Sequence, residues 1–301
     1  MKKLVITQPM GLSHDQLSDL KKIFDVRCFD TISENTEQWL SRVEGAELIY
    51  TNIKGIDYAW RSLKNVFVTL PFVGIGWLDI DVLKANNVVV SNSPGCNRVA
   101  VSEWIVAMLL DYSRNFSGYV KTNEISGPIP PKTKSLHGKT VCIIGKGRIG
   151  LRTGRVLSAM GMIVTYYIRG DILADKILHA DYIIDCLSLN ESTFGFYDYR
   201  FFEKVKHGVV FVSISPNQTQ DMQAILNGLE TSKIEHYITD NAASIIFDTH
   251  DETYKKLKTN NQIIITPHIA AYSDITVKAA SKICIENLKA YNAGKPQNTI
   301  Y

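Results

Sequence analysis

The sequence predicts an α/β fold built on parallel sheets, and three observations carry that prediction. Short β-branched apolar runs alternate with helix-like segments along nearly the whole chain. The 301 residues, 45% of them hydrophobic, suffice for about two packed domains. One apolar run, Val141 to Ile144, ends in Gly145-Lys-Gly147-Arg-Ile-Gly150 and leads directly into a helix-like segment, Leu151 to Met160. That order of strand, spaced glycines and helix is a dinucleotide-binding fingerprint in its proper setting. Gly145 permits the tight turn, Gly147 lets backbone N–H groups approach a pyrophosphate, and Gly150 lets helix and strand pack closely. The helix N-terminus adds partial positive charge for the phosphates.

The elements follow in order. Leu4 to Thr7 is a strand, and Ser13 opens a helix with Leu17, Leu20, Ile23 and Phe24 at helical spacing. Val26–Phe29, Leu48–Thr51, Val66–Leu70 and Val88–Ser91 are further strands, with helices around Thr36–Val43 and Ile80–Ala85. A longer amphipathic helix spans Ala100 to Tyr112. Gly127, Pro128, Pro130 and Pro131 then mark Ser117 to Gly138 as a surface loop. The second series of strands is Val141–Ile144, Ile163–Tyr167, Tyr182–Cys186, Val209–Ser213, Tyr237–Asp240 and Ile263–Thr266. Ser215 to Thr219 forms a turn and cap before a helix at Met222–Leu229. The aromatic residues around Phe194 to Phe202 are core or interface anchors.

Composition narrows the function classes. The net charge of +3, from 33 basic and 30 acidic residues without a long run of either sign, indicates neither a nucleic-acid nor a membrane surface. Five cysteines at 28, 96, 142, 186 and 284 form no CxxC pair, the histidines make no metal-ligand spacing, and no metal is expected. The pattern favours reduced thiols and a cytoplasmic location. The opening Met-Lys-Lys-Leu-Val-Ile-Thr is too short an apolar run for a signal peptide, and no segment approaches a membrane span.

In series, these motifs resemble those of the D-isomer-specific 2-hydroxyacid dehydrogenases over almost the whole chain. The residues concerned are Gly74-Ile-Gly76-Trp-Leu-Asp-Ile-Asp81, Asn92-Ser-Pro94-Gly95 with Ala100-Val-Ser-Glu103, the glycine loop, Leu187 to Thr193, Thr266-Pro-His268-Ile-Ala270, and Glu286-Asn-Leu with Gly294-Lys-Pro296. The resemblance implies two Rossmann-like, doubly wound parallel-sheet domains, with a cofactor domain (98–271) inserted into a discontinuous catalytic domain (1–97 plus 272–301). It implies hydride exchange between a nicotinamide and a small 2-oxo or 2-hydroxy acid, and a homodimer whose contact involves the aromatic region or the long helix from Ala100. His268 is the implied proton donor and acceptor. Val73, Gly74 and Ile75 are implied to receive a substrate carboxylate through their backbone amides. The implied cofactor contacts are Gly145, Gly147, Arg148, Ile149, Gly150, Arg169, Ser188, Thr193, Ile214, Asp240 and His268.

The chain departs from the family at two catalytic positions. Pro216 stands where an arginine clamps the substrate carboxylate, and proline supplies neither a guanidinium nor a backbone donor. Ile245 stands where a glutamate orients the histidine, with Asp248 and Asp251 as substitutes or as solvated loop acids. Trp77 and Leu78 also enlarge the substrate loop, and Trp104 replaces a histidine. Two readings therefore remain: an oxidoreductase with an incomplete catalytic set, and a dinucleotide-binding sensor or interaction protein without catalysis. For the cofactor, Ile168 stands where an acid reads the ribose 2′-hydroxyl and Arg169 follows it, which favours NADP over NAD. The short stretch from Ile168 to Asp181 leaves little room for the helix that usually covers the adenine.

Overall fold

The computed structural model describes residues 1–122, 133–240, 257 and 259–301. The chain divides into two compact units, one made of Met1–Asn97 with Tyr272–Tyr301 and the other of Arg98–Ala271. Each is a parallel α/β sheet flanked by helices, as the alternating pattern predicts.

In the first unit the strands β1 (Lys3–Ile6), β2 (Asp25–Cys28), β3 (Leu48–Tyr50), β4 (Val66–Thr69) and β5 (Val88–Ser91) lie in the order β2-β1-β3-β4-β5, all parallel. Their side chains alternate between two cores, as the twofold repeat of a strand requires. Val5, Ile49, Val68 and Val90 join a cluster around Trp39, while Leu4, Ile6, Leu48, Tyr50 and Phe67 join one around Phe24. Four helices follow strands: α1 (His14–Lys21), α2 (Thr36–Val43), α3 (Ile53–Ala59) and α4 (Ile80–Ala85). Ser13 and Gln16 close a reciprocal capping box on α1, and the Asn35 and Asp79 side chains cap α2 and α4. Helix α3 has no counterpart in the sequence expectations; its sevenfold span, interrupted by Gly55, is too short to show a period.

The second unit opens with α5 (Arg98–Arg114) and α6 (Phe116–Thr122). The latter corrects the expected loop from Ser117, whose first residues continue as helix; residues 123–132, with Gly127 and the three prolines, lie outside the described residues. Six parallel strands follow: β6 (Thr140–Ile144), β7 (Ile163–Tyr167), β8 (Tyr182–Asp185), β9 (Val209–Ser213), β10 (Ile234–Thr239) and β11 (Ile263–Ile265), ordered β11-β10-β9-β8-β6-β7. They alternate with α7 (Arg148–Ala159), α8 (Leu173–Ile177), α9 (Tyr199–Lys204) and α10 (Met222–Glu230). One face buries Val141, Ile143, Ile184 and Val212 against Ile105 and Leu109 of α5. The other buries Cys142, Ile144, Phe211 and Tyr237 against Tyr197, Phe201 and Phe202. The aromatic region thus divides, for Phe194 and Tyr199 remain exposed. The stretch after Ile168 does accommodate a helix, the five-residue α8. The cap of α10 is the Asp221 side chain rather than Ser215, because residues 217–219 first complete a tight 3-10 turn.

The last helix, α11 (Asp274–Asn292), belongs to the first unit and packs Cys284, Ile285 and Leu288 onto its sheet. Its Asn287 amide donates to Thr69 Oγ1 at 3.2 Å and to the Asn92 carbonyl at 3.0 Å, tying the C-terminal helix to strand ends 195 or more residues away.

Candidate active site

Both sheets reverse their winding beside the first strand, and in open α/β sheets ligands bind outside the strand carboxyl ends at such a switch point. In the second unit the switch lies between β7 and β8, on either side of β6, and the glycine loop leaves β6 there. Gly145 has φ +103, and a Cβ on it would lie 2.8 Å from the Cys186 carbonyl oxygen. A Cβ on Gly150 would lie 2.1 Å from the Gly145 oxygen and 3.1 Å from Ile143 Cγ2. Gly147 is different: nothing stands within 4 Å of its Cβ position. Two glycines are therefore required by packing, and the third leaves open space beside the backbone. Gly147 is also the N-cap of α7 and, having no side chain, leaves the first-turn amides of that helix without a side-chain cap among the described residues. Uncapped amides, a positive helix end and an unobstructed glycine fit the pyrophosphate of a dinucleotide.

The loop after β8 leaves the sheet beside Gly145. Thr193 Oγ1 donates to the Ser188 carbonyl at 2.7 Å and accepts the Asn190 N–H at 2.8 Å, closing residues 188–193 into a compact turn. Arg169, just past β7, donates through Nη2 to Ser192 Oγ at 2.7 Å, and that hydroxyl donates to Asn190 Oδ1 at 2.7 Å. The guanidinium is thus held toward the 188–193 turn. Ile168 itself is no acid, yet one stands at this strand end. Asp171 folds back to accept the Ile168 N–H at 3.1 Å and lies 3.9 Å from Lys176. Lys146 places its ammonium 5.2 Å from the Tyr166 ring, and Lys146, Tyr166, Ile168, Asp171 and Lys176 line one cavity of about 370 Å³.

Beneath the loop after β9 lies a buried polar network. The Asp185 carboxylate accepts from Ser213 Oγ at 2.8 Å, Ser215 Oγ at 2.6 Å and the Leu187 N–H at 3.0 Å. Gln220 donates through Nε2 to Ser213 Oγ at 2.9 Å and accepts the Tyr237 hydroxyl through Oε1 at 2.6 Å. Burial pushes the Asp185 carboxyl above the ordinary carboxylate range, against these hydrogen bonds, which lower it. The network fixes the chain entering Ile214 and Pro216. Ile214 packs in the core shared with α5, and Pro216 has φ −55 and ψ 144, an extended turn with no side-chain donor.

His268 sits on an exposed loop after β11, with φ +57, a left-handed conformation uncommon for a non-glycine residue. Its N–H donates to the Asp240 carbonyl at 3.0 Å. The Asp240 side chain holds the same loop: it accepts from Thr266 Oγ1, from the Ile269 N–H at 2.8 Å and from the Ala270 N–H at 2.7 Å. Asp240, expected among the cofactor contacts, therefore has both carboxylate oxygens engaged by the chain that presents His268. Ile245, Asp248 and Asp251 lie outside the described residues. Among the described residues no group of His, Cys, Asp and Glu is placed to hold a metal.

In the first unit, Val73, Gly74 and Ile75 form the loop that follows β4. Asn92 Nδ2 donates to the Val73 carbonyl at 2.8 Å and Ile75 packs into the Trp39 cluster, so both ends are anchored. Positions around Gly74 and Gly76 are open to 4 Å, and Trp77 is partly exposed.

The family description D-isomer specific 2-hydroxyacid dehydrogenase, NAD binding domain, matches residues 106–270. D-lactate dehydrogenase of Staphylococcus aureus is 28% identical over 230 residues, covering 68% of this chain and 69% of that protein. Glyoxylate reductase 1 of Saccharomyces cerevisiae is 27% identical over 310 residues, covering 90% of this chain and 86% of its own. Among solved structures, an acyclic imino acid reductase in complex with NADPH and D-Arg superimposes with a TM-score of 0.81 at 21% identity, over 99% of this chain and 100% of that one.

Proposed function

This chain belongs to the D-isomer-specific 2-hydroxyacid dehydrogenase family, and on that premise we propose that it binds NADP in preference to NAD and reduces a small 2-oxo acid with an incomplete catalytic set centred on His268. The observation that carries the reading is the glycine cradle, in which Gly147 leaves its backbone open while Gly145 and Gly150 are closed by packing. A bound nicotinamide supplies the hydride. The chain's own part is to hold the pyrophosphate on the first-turn amides of α7, with Ser188, Thr193 and Ile214 bounding the remaining surface. Arg169 supports the NADP preference, since its guanidinium can leave Ser192 for a 2′-phosphate. Asp171 opposes it in part, as an acid close to the same strand end, with Lys176 beside it.

His268 moves a proton to or from the substrate oxygen, on a loop held by Asp240. The backbone amides of Val73, Gly74 and Ile75 receive a carboxylate. With Pro216 in place of a guanidinium, and Ile245 in place of the orienting acid, transition-state stabilisation falls by several kcal/mol, a rate loss on the order of 10³-fold. The same two substitutions favour the second reading, a dinucleotide-binding sensor or interaction protein. The proposed assembly is a homodimer, supported by exposed Phe194 and Tyr199, and the proposed location is the cytoplasm, supported by five cysteines that form no disulfide.

Fluorescence titration with NADPH and NADH, followed by assays of glyoxylate, pyruvate and hydroxypyruvate reduction, tests this. NADPH should bind more tightly than NADH, Arg169→Ala should remove that preference, and His268→Ala should remove turnover. Tight NADPH binding with no turnover that depends on His268 leaves the sensor reading standing. Failure to bind either nucleotide ends both.

A further inference from the structure

Helix α7 carries Arg148, Arg152 and Arg155 at positions i, i+4 and i+7, which places them on one face. With Arg98, the first residue of α5, they line a recess of about 320 Å³ whose other walls are Leu151 and Val156. Like charges at this spacing repel, and Arg148 stands in the first turn, where the helix dipole is already positive. Among the described residues, Glu103 pairs with Arg152 alone of the three α7 arginines, 3.9 Å from its Nη2. The Arg152 Nε–H is buried without an acceptor.

An anion in the recess would relieve each of these conditions. Guanidinium forks donate to two oxygens of a phosphate in one plane, and several around one recess suit a ligand with more than one negative charge. The volume lies at the lower end of small-molecule sites, too small for a dinucleotide in its entirety. The cradle for the cofactor consists of backbone amides and glycines; the recess consists of side chains, and Arg148 alone belongs to both.

We propose that the arginine recess between α5 and α7 is a second anion site, which takes a small phosphate- or diphosphate-bearing ligand independently of the dinucleotide. The proposal rests on the reading above only in treating the glycine loop as the nucleotide's place. Calorimetric titration of inorganic pyrophosphate into the full chain, with and without saturating NADPH, tests it, alongside Arg152→Gln/Arg155→Gln. The expected result is binding that NADPH leaves within about twofold and that the double variant weakens by about tenfold or more. That variant should keep its NADPH affinity and melt no lower than the parent, since it removes like-charge repulsion. Orthophosphate in a parallel titration should bind more weakly than pyrophosphate if a diphosphate is the preferred class. Displacement of pyrophosphate by NADPH without any effect of the double substitution would overturn the proposal, because the anion would then occupy the cradle. Absence of pyrophosphate binding would overturn it as well. If NADPH fails to bind yet pyrophosphate binding still depends on Arg152 and Arg155, the dinucleotide reading fails and the second anion site stands.

Discussion

Two alanine substitutions three residues apart should have opposite consequences. At Gly147, φ −80 and ψ −169 suit any residue, and an added methyl meets nothing within 4 Å. The fold should lose at most about 1 kcal/mol, the difference between glycine and alanine as a helix N-cap. The same methyl would stand where the pyrophosphate must approach. Losing two charge-assisted hydrogen bonds at about 1.5 kcal/mol or more each costs about 3 kcal/mol, over 100-fold in affinity. At Gly150 the methyl would lie 2.1 Å from the Gly145 carbonyl oxygen, an obstacle of backbone that cannot rotate away. Overpacking of that kind costs about 3 kcal/mol, offset by about 1 kcal/mol from alanine's better helix propensity. A net loss of about 2 kcal/mol lowers the melting temperature by about 4–8 °C in a unit of this size. NADPH titration and thermal melts of Gly147→Ala and Gly150→Ala measure both. Wild-type NADPH affinity in Gly147→Ala would refute the cradle, and an unchanged melting temperature in Gly150→Ala would refute the packing argument.

Two further outcomes follow from the strand-end carboxylates. Asp240→Asn removes charge from the acceptor of two amides and a hydroxyl, and should cost about 1.5–3 kcal/mol in urea melts while reducing turnover that depends on His268; full activity would show that the loop does not need this anchor. Asp185 has a folded-state pKa raised by burial, so the native state holds its proton more tightly than the unfolded chain. Its contribution is most favourable below the unfolded value of about 4 and is lost as pH rises toward the folded one. Stability measured from pH 4 upward should therefore fall relative to Asp185→Asn, and a difference between the two proteins that does not vary with pH would count against an ionising carboxyl there.

Much of the framework was legible because it depends on neighbours in the chain. The alternation of apolar runs and amphipathic segments marks strands and helices, and the Gly145–Gly150 spacing marks the turn from β6 into α7, since a tight turn and a close helix approach are local demands on backbone conformation. The short helices α3 and α6 were not legible, because seven residues hardly sample a 3.6-residue period. The extent of α8 was likewise set by packing, with Ile177 buried in the core rather than by any cap signal.

The sequence by itself determined the family, the parallel α/β class, the glycine loop after β6 and the presence of Pro216 and Ile245, all of which are properties of residue identity and order. Only the tertiary structure decided what the acids do. Asp171 turns back to the end of β7, Asp185 disappears beneath the β9 loop, and Asp240 reaches forward to hold the loop of His268. A carboxylate is defined by the donors that surround it. For Asp185 and Asp240 most of those donors arrive from strands and loops far apart in the chain, so their identity exists only once the strands have been set side by side.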